Sequence, residues 1–378
     1  MTDAPLGLYV HWPYCARICP YCDFNVYKAR GDDEALFQSL VADLGYWAER
    51  LERRSLVSIH FGGGTPSLMT PAQIGELIGK AELMFGFAPL IEIGLEANPN
   101  DSDGFEGFRA AGINRLSLGV QSFQDDALVA LGRDHDGAAA HRSHELARKN
   151  FDAVSLDLIY AREGQTLADW EAELTAILSE QPGHVSAYQL TIEPGTAFDR
   201  RVARGELIPP GDSLGAELYT LTQTLCADAG MTGYEISNHC REGQSSRHNR
   251  LYWEGADWIG IGPGAHGRMG NFRSGGRVAS TTVLKPAAYI EQVTRTGCGS
   301  DIETLSALDE ARERILMGLR ISDGLDIDRI TALTGHSIDL EEAGRLERQG
   351  LIGIDDRIVR LTPDGRLYAD GIAQLLCP

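Results

Sequence analysis

Six short apolar runs, rich in Val, Ile, Leu or Tyr, alternate along the first half of this chain with amphipathic stretches typical of helices. The predicted strands end near Val10, Phe61, Leu95, Gly119, Ile159 and Leu190. The predicted helices cover about 33–54, 71–84, 102–111, 125–149 and 167–180. This alternation favours a parallel sheet with right-handed crossovers. We therefore expect an α/β fold, an open (βα)6 barrel.

The chain has 378 residues, which predicts more than one domain. We expect the core barrel over 1–200, an α/β extension over 201–300 and a C-terminal module over 301–378. In the last region, helical stretches precede two short strands, and this order is typical of a winged-helix-like α+β module. Nine basic against sixteen acidic residues give this region a net charge of −7, so we expect a lid or docking module rather than a DNA-binding one.

Charge and hydropathy limit the possible partners. A net charge of −20 disfavours nucleic acid. The longest apolar runs fall far below the ~20 residues of a membrane span, which argues against an integral membrane protein. Thr2 to Pro5 have neither the charged leader nor the apolar core of a signal peptide. We expect a cytoplasmic protein, in which clustered cysteines indicate a metal more often than a disulfide.

Three of the seven cysteines lie within eight residues, directly after the first predicted strand. Cys15, Cys19 and Cys22 form the pattern CxxxCxxC, which can hold three corners of a [4Fe-4S] cube and leave the fourth iron open to a small chelating molecule. The alternatives are a zinc site with His11 as fourth ligand, or three unrelated thiols. Zinc sites usually combine two CxxC pairs, and no second pair follows here.

Polar or glycine residues follow every predicted strand, where the chemistry of such barrels resides. The second loop contains Gly62, Gly63 and Gly64, whose missing side chains allow a ligand to approach the backbone. Each signal alone is weak, since a triple glycine can be only a tight turn and a strand carboxylate only a paired one. Together with the cysteines, the pattern indicates a site for an amino acid, a ribose and an adenine. The remaining members are Thr65, Glu96, Asn98, Gln121, Arg133, Asp157 and Glu193.

The cysteine pattern resembles the radical S-adenosylmethionine (SAM) superfamily, in which SAM ligates the open iron and is cleaved to a 5′-deoxyadenosyl radical. More narrowly, the chain is similar to the family of oxygen-independent coproporphyrinogen III oxidase, in particular its HemW branch of heme chaperones. Four stretches carry this resemblance: HWPYCARICPYCDFN, FGGGTPSL, RLSLGVQSFQDDALVALGRDH, and HNRLYW with GIGPGAHG behind it.

The resemblance implies roles for individual residues. Cys15, Cys19 and Cys22 would ligate the cluster, and Tyr9, Gly63 and Glu96 would hold its SAM. A further set matches positions that hold a second SAM in the oxidases: Tyr21, Gly64, Thr65, Gln121, Arg133 and Asp157. Whether this chain binds the second molecule stays open.

Two features favour the chaperone branch over the oxidases. The oxidases have a further cysteine two positions after the third cluster ligand, where this chain has Phe24, and an N-terminal extension, whereas fourteen residues precede Cys15 here. The implied function is binding heme and transferring it to an acceptor hemoprotein, such as a membrane respiratory protein, without oxidase activity. The alternatives are the oxidase itself, which converts coproporphyrinogen III to protoporphyrinogen IX, and a tRNA-modifying enzyme, which the charge disfavours.

The HNxxYW pattern at 248–253 is characteristic of the HemW branch. His248 is a candidate axial ligand for heme iron, and Tyr252 and Trp253 offer flat apolar surface. The alternative is a structural corner with the aromatics in the core. Cys226, Cys240, Cys298 and Cys377 are expected to be idle thiols, with Cys240 the one to test for heme. His266 lies in a glycine-rich loop, where relatives often have a cysteine in place of Pro263.

Overall fold

The architecture comes from a computed structural model that describes residues 5–270 and 276–378. Residues 2–4, on which the expectation about a leader largely rests, lie outside the described part, as do 271–275 within the predicted extension.

The first half forms the predicted series of parallel strands and helices, and its α/β class is confirmed. All six strands end within two residues of their predicted positions. Parallel ladders join them in chain order, and apolar residues on both faces of the sheet are buried in one continuous core. The elements are β1 Leu6–Trp12, β2 Tyr14–Cys15, β3 Tyr27–Lys28, α1 Asp33–Arg50, β4 Leu56–Gly63, α2 Pro71–Phe85, β5 Phe87–Ala97, α3 Phe105–Ala110, β6 Arg115–Gln121, α4 Asp125–Ala130, α5 Gly137–Asn150, β7 Ala153–Tyr160, α6 Leu167–Ser179 and β8 His184–Gln189.

The helix predicted over 125–149 is wrong in one respect, because two helices replace it. Gly132 has φ +69°, a left-handed conformation that ends α4, and the chain turns before Asp136 caps α5 by accepting from the Ala139 N–H. Arg133 lies in this turn, which brings its side chain into the cavity described below. The amphipathic pattern continues across the break, so periodicity alone could not reveal it.

The middle region extends the same sheet on both sides. On one side, β11 (Asp257–Ile261) pairs in parallel with β1, with Leu6 opposite Asp257. On the other side, β10 (Asn238–Cys240) pairs antiparallel with β8. The elements are α7 Ala197–Ala203, α8 Asp212–Asp228, β9 Thr232–Gly233, β10 Asn238–Cys240, α9 Arg247–Trp253, β11 Asp257–Ile261, β12 His266–Met269, β13 Val278–Thr282, α10 Pro286–Thr296 and β14 Ser300–Thr304.

The described sheet therefore contains twelve strands, in the order β14-β13-β12-β11-β1-β4-β5-β6-β7-β8-β10-β9. The (βα)6 unit lies at its centre. The division of the chain at 200 and 300 stays a prediction, and strands from both sides of the first boundary share this one sheet.

The C-terminal region has its own apolar core and a three-stranded sheet, in which β17 (Ile358–Leu361) lies between β15 (Leu325–Asp326) and β16 (Ile352–Asp355). The described part of this region contains five helices and three short strands, and its first six elements follow the helix-strand-helix-helix-strand-strand order of a winged helix. The elements are α11 Ala307–Gly318, β15 Leu325–Asp326, α12 Ile327–Thr334, α13 Leu340–Arg348, β16 Ile352–Asp355, β17 Ile358–Leu361, α14 Pro363–Arg366 and α15 Ala369–Leu376.

None of the helices in the described ranges is both long enough and apolar enough to cross a lipid bilayer.

Candidate functional site

The three clustered cysteines lie at the carboxyl end of β1. Cys15 ends β2 and is buried, while Cys19 and Cys22 are half-buried in the following loop. Backbone hydrogen bonds hold this loop: the Cys22 N–H donates to the Cys19 carbonyl at 3.2 Å, and the Phe198 N–H donates to the Pro20 carbonyl at 3.0 Å. The loop is thus fixed to itself and to α7.

A cavity of about 460 Å³ opens beside the cysteine loop, at the carboxyl ends of the parallel strands. All three cysteines line it. Eight further residues singled out from the sequence share the lining: Tyr21, Gly63, Gly64, Thr65, Glu96, Gln121, Arg133 and Asp157. Tyr9 and His248 lie outside this lining. The structure therefore brings residues from five different strand ends to one concave site.

The donor set fits an iron–sulfur cube better than the zinc alternative. Both ring nitrogens of His11 already have partners, Nδ1 the Tyr9 hydroxyl at 2.9 Å and Nε2 the Asn25 carbonyl at 3.0 Å. Within 5–270 and 276–378, no three His, Cys, Asp or Glu side chains are close enough together for a single ion. A cube of four irons spaces its thiolate ligands more widely than one ion does.

Burial affects the protonation of the cysteines before metal binds. It raises the pKa of Cys15, and it raises that of Cys22 to about 11. Arg133 lies beside the remaining thiol, that of Cys19, and its Nη1 is 3.2 Å from the Cys19 sulfur. Loading of a cluster would release the thiol protons, and the Arg133 guanidinium would then face a thiolate.

The triple glycine is required by close contacts rather than by the turn alone. A Cβ on Gly63, which has φ +110°, would lie 2.6 Å from the His11 ring. A Cβ on Gly64 would lie 2.7 Å from the Tyr14 carbonyl oxygen and 3.0 Å from the Cys15 sulfur. Real Cβ atoms do not approach so closely. The absence of side chains at these two positions therefore allows the cysteine loop to pack against the end of β4.

Glu96 is held in place at the cavity wall. Its Oε2 accepts from the Gly63 N–H at 3.2 Å, and its Oε1 lies 3.1 Å from Nε2 of His60. A carboxylate at this position could bind an ammonium group near the cluster.

Asp157 lies deeper in the cavity, on β7. Burial raises its pKa to about 6, although the hydroxyl groups of Ser117, Ser186 and Ser155 oppose the shift by donating hydrogen bonds to the carboxylate. Such a desolvated acceptor suits a hydroxyl-bearing ligand, for example a ribose.

Two lining residues inside strands were not among the residues predicted from the sequence. They are Ser117 in β6 and Tyr188 in β8. The predicted Asn98 and Glu193 also line the cavity, and Asn98 accepts from Arg133 Nη2 at 2.5 Å. The period-2 alternation of β6 could have identified Ser117, because Ser117 and the predicted Gln121 have the same parity along that strand.

The HNxxYW motif lies at the opposite, amino end of the barrel strands. His248 is 2% exposed on α9, and both ring nitrogens have partners: Nδ1 the Ser58 hydroxyl at 3.1 Å and Nε2 the Tyr252 hydroxyl at 2.7 Å. Burial lowers its pKa well below the ordinary value. Axial ligation of heme by His248 would require both hydrogen bonds to break, so these contacts favour the structural alternative.

The other singled-out groups also lie away from the cavity lining. Cys226, Cys240 and Cys298 are buried, and burial raises the pKa of each thiol. The glycine-rich loop nevertheless supports the cysteine loop, since Asn25 Nδ2 donates to the Pro263 carbonyl at 2.8 Å. His266 begins β12 and is exposed.

Comparison with known proteins gives the family. The radical SAM superfamily matches residues 9–177, and the HemN C-terminal domain matches 305–368. "Heme chaperone HemW" of Mycobacterium tuberculosis is 37% identical over 385 residues, which cover 100% of this chain and 96% of the relative. This chain belongs to the HemW family of radical SAM proteins.

Other similarities agree with this assignment. "Radical S-adenosyl methionine domain-containing protein 1, mitochondrial" of Danio rerio is 35% identical, covering 97% of this chain and 85% of the relative. The solved structure of coproporphyrinogen III oxidase (HemN) from Escherichia coli has a TM-score of 0.82 at 23% identity, covering 99% of this chain and 90% of that one. At this identity the likeness to the oxidase shows the shared fold.

Proposed function

We propose that this protein is a heme chaperone that binds heme and transfers it to an acceptor hemoprotein, on a scaffold that also carries a [4Fe-4S] cluster and SAM. Similarity to HemW heme chaperones along almost the whole chain is the observation that carries this proposal. We further propose that it acts in the cytoplasm and that the acceptor is a membrane respiratory hemoprotein.

The residues of the cavity fit the proposed cofactors. Cys15, Cys19 and Cys22 would ligate the cluster, which supplies one electron to the sulfonium of SAM when both are bound. The Glu96 carboxylate is available to the amino group of SAM, while Gly63 gives its backbone room to approach. Arg133 would place a positive charge next to the Cys19 ligand.

An apolar rim beside the cysteine loop supports heme binding near the cavity. Phe24 is 61% exposed and Ile18 is 41% exposed, and both line the cavity mouth. Large exposed apolar side chains next to a concave site are typical of a binding surface. Arg17, which also lines the mouth, is available to a propionate.

The oxidase activity is the competing proposal, and Phe24 argues against it. The oxidases that the sequence resembles have a cysteine where this exposed phenylalanine stands. The fold similarity to HemN does not distinguish the two functions, because a chaperone and an oxidase can share one scaffold.

Two anaerobic measurements on the cluster-loaded protein test the proposal. Titration with heme should give a stable complex with a shifted Soret band, and free-heme spectra throughout would refute the carrier function. Incubation with SAM, a reductant and coproporphyrinogen III should leave the porphyrinogen intact. Formation of protoporphyrinogen IX would replace the chaperone by the oxidase.

A further inference from the structure

The interior of the barrel contains a polar column that runs from the HNxxYW motif to the candidate SAM site. The motif closes the amino end of the strands: the backbone N–H groups of Arg247 and His248 both donate to the Glu92 carboxylate at 3.0 Å. Ser246, the N-cap of α9, also donates to Glu92 at 3.0 Å. Helix α9 is therefore anchored to β5, the strand that carries Glu96 at its other end.

One branch of the column leads from His248 to Glu96. The His248 and His60 rings stack at 4.7 Å with an interplanar angle of 13°. His60 in turn lies 3.1 Å from Glu96 Oε1. His60 has little freedom to move, because its other surroundings are the Tyr9 ring, stacked at 6.3 Å, and Gly94, where a Cβ would lie 2.7 Å from His60 Nδ1.

The second branch leads from Asn249 to Asp157. Asn249 Nδ2 donates to the Tyr234 hydroxyl at 3.3 Å, and that hydroxyl lies 2.9 Å from His184 Nε2. His184 Nδ1 lies 2.7 Å from the Ser155 hydroxyl, which donates to Asp157 Oδ1 at 3.2 Å.

The donors of the second branch follow one another in a single direction. The Asn249 Nδ2 group can only donate, so the Tyr234 hydroxyl accepts from it and directs its own proton to His184. With Nε2 accepting, His184 carries its single ring proton on Nδ1 and donates to the Ser155 hydroxyl, which leaves the Ser155 proton for Asp157. Because each link fixes the next, removal of Asn249 frees the orientation of the whole branch.

We propose that His248 and Asn249 are positioning residues for the SAM site, acting through His60 on Glu96 and through Tyr234, His184 and Ser155 on Asp157. This role rests on the SAM-binding part of the proposed function. It assigns to the HNxxYW motif an effect on SAM rather than a bond to heme iron. Heme then binds elsewhere on the protein, and the motif couples the amino end of the barrel to the cofactor end.

The test compares SAM affinity and heme affinity in the same variants. Cluster-loaded wild type, His248→Ala and Asn249→Ala are titrated with SAM by calorimetry, and the EPR spectrum of each reduced cluster is recorded with and without SAM. Preparations are matched for iron content. A His144→Ala variant is the control, because His144 is as buried as His248 but lies on α5, outside the barrel interior. Its Nδ1 lies 2.9 Å from the Glu180 carboxylate.

We expect both motif variants to bind SAM about tenfold more weakly, as for lost outer-shell partners of a ligand site. Their SAM-dependent EPR change should shift to higher SAM concentration, while heme affinity stays within about twofold of wild type. If His248→Ala does not fold, Asn249→Ala carries the test alone. Unchanged SAM affinity in the folded motif variants, or an equal loss in His144→Ala, would overturn the proposal.

Wild-type measurements separate this inference from the proposed function. Failure of wild type to bind heme removes the chaperone function but leaves the SAM comparison intact. A motif variant that loses the shifted Soret band while keeping its SAM affinity would instead identify His248 or Asn249 as part of the heme site, against the inference.

Discussion

Replacement of Asp157 by Asn should stabilise the protein at neutral pH while weakening its proposed ligand site. Burial raises the pKa of Asp157 from its ordinary value of 3.8 to about 6. The folded protein therefore holds this proton more tightly than the unfolded chain does. Ionisation in the folded state then costs stability, and the cost grows as pH rises from about 4 to about 6.

The magnitude follows from the two pKa values. A difference of about two units at 1.36 kcal/mol per unit corresponds to about 3 kcal/mol above pH ~6. Access of cavity water to the carboxylate reduces this to about 2 kcal/mol. Asparagine keeps an oxygen acceptor for the serine hydroxyls and removes the charge. We expect Asp157→Asn to raise the free energy of unfolding by about 2 kcal/mol at pH 7.5 and by almost nothing at pH 4.

Urea unfolding of wild type and variant, followed by tryptophan fluorescence between pH 4 and pH 8, measures this difference. Asp301→Asn serves as the control, since Asp301 is an exposed carboxylate on β14, far along the sheet from the cavity. SAM affinity of Asp157→Asn should fall in parallel, because a charged acceptor is lost from the site. A variant that is less stable at pH 7.5, or whose gain does not depend on pH, would refute the reasoning.

Three further substitutions test other parts of the site. Gly64→Ala should lower the iron content per chain, because its Cβ would lie 3.0 Å from the Cys15 sulfur. The control is Gly79→Ala in α2, whose Cβ would have nothing within 4 Å and which should leave the iron content unchanged. Equal iron content in the two variants would contradict the contact argument. Cys19→Ser should abolish the iron–sulfur absorption, whereas the control Cys226→Ser should retain it. Metal analysis and absorption spectra measure this difference. A Cys19→Ser protein with a full complement of iron would exclude Cys19 as a ligand. Phe24→Ser should weaken heme binding about tenfold through loss of an aromatic contact. The control is Leu83→Ser, because Leu83 is an exposed residue on α2. Equal heme affinities of the two variants in titration would show that the apolar rim does not contribute to heme binding.

The sequence was sufficient for the central barrel because its strands are buried on both faces. Such strands are continuous apolar runs, and polar residues directly after them must lie at one end of a parallel sheet. This is why residues as distant in the chain as Gly63, Gln121 and Asp157 could be expected in one site and do line one cavity.

The pairing of strands that are distant in the chain could not be predicted from these local patterns. Nothing in the run 257–261 indicates that β11 pairs with β1, some 250 residues earlier, rather than with its neighbours in the chain. The break after α4 depends on the left-handed Gly132, and the position of His248 depends on the anchoring of α9 by Glu92. These features arise from tertiary contacts, which local periodicity does not encode.

The central claim is that Cys15, Cys19 and Cys22 hold a [4Fe-4S] cluster with one iron open to SAM. Anaerobic reconstitution followed by iron, sulfide and zinc analysis and by EPR of the reduced protein tests it most directly. We predict about four irons per chain, absorption at about 400 nm, and an EPR spectrum that changes on addition of SAM. Bound zinc without this absorption, or a cluster spectrum that SAM leaves unchanged, would contradict the claim.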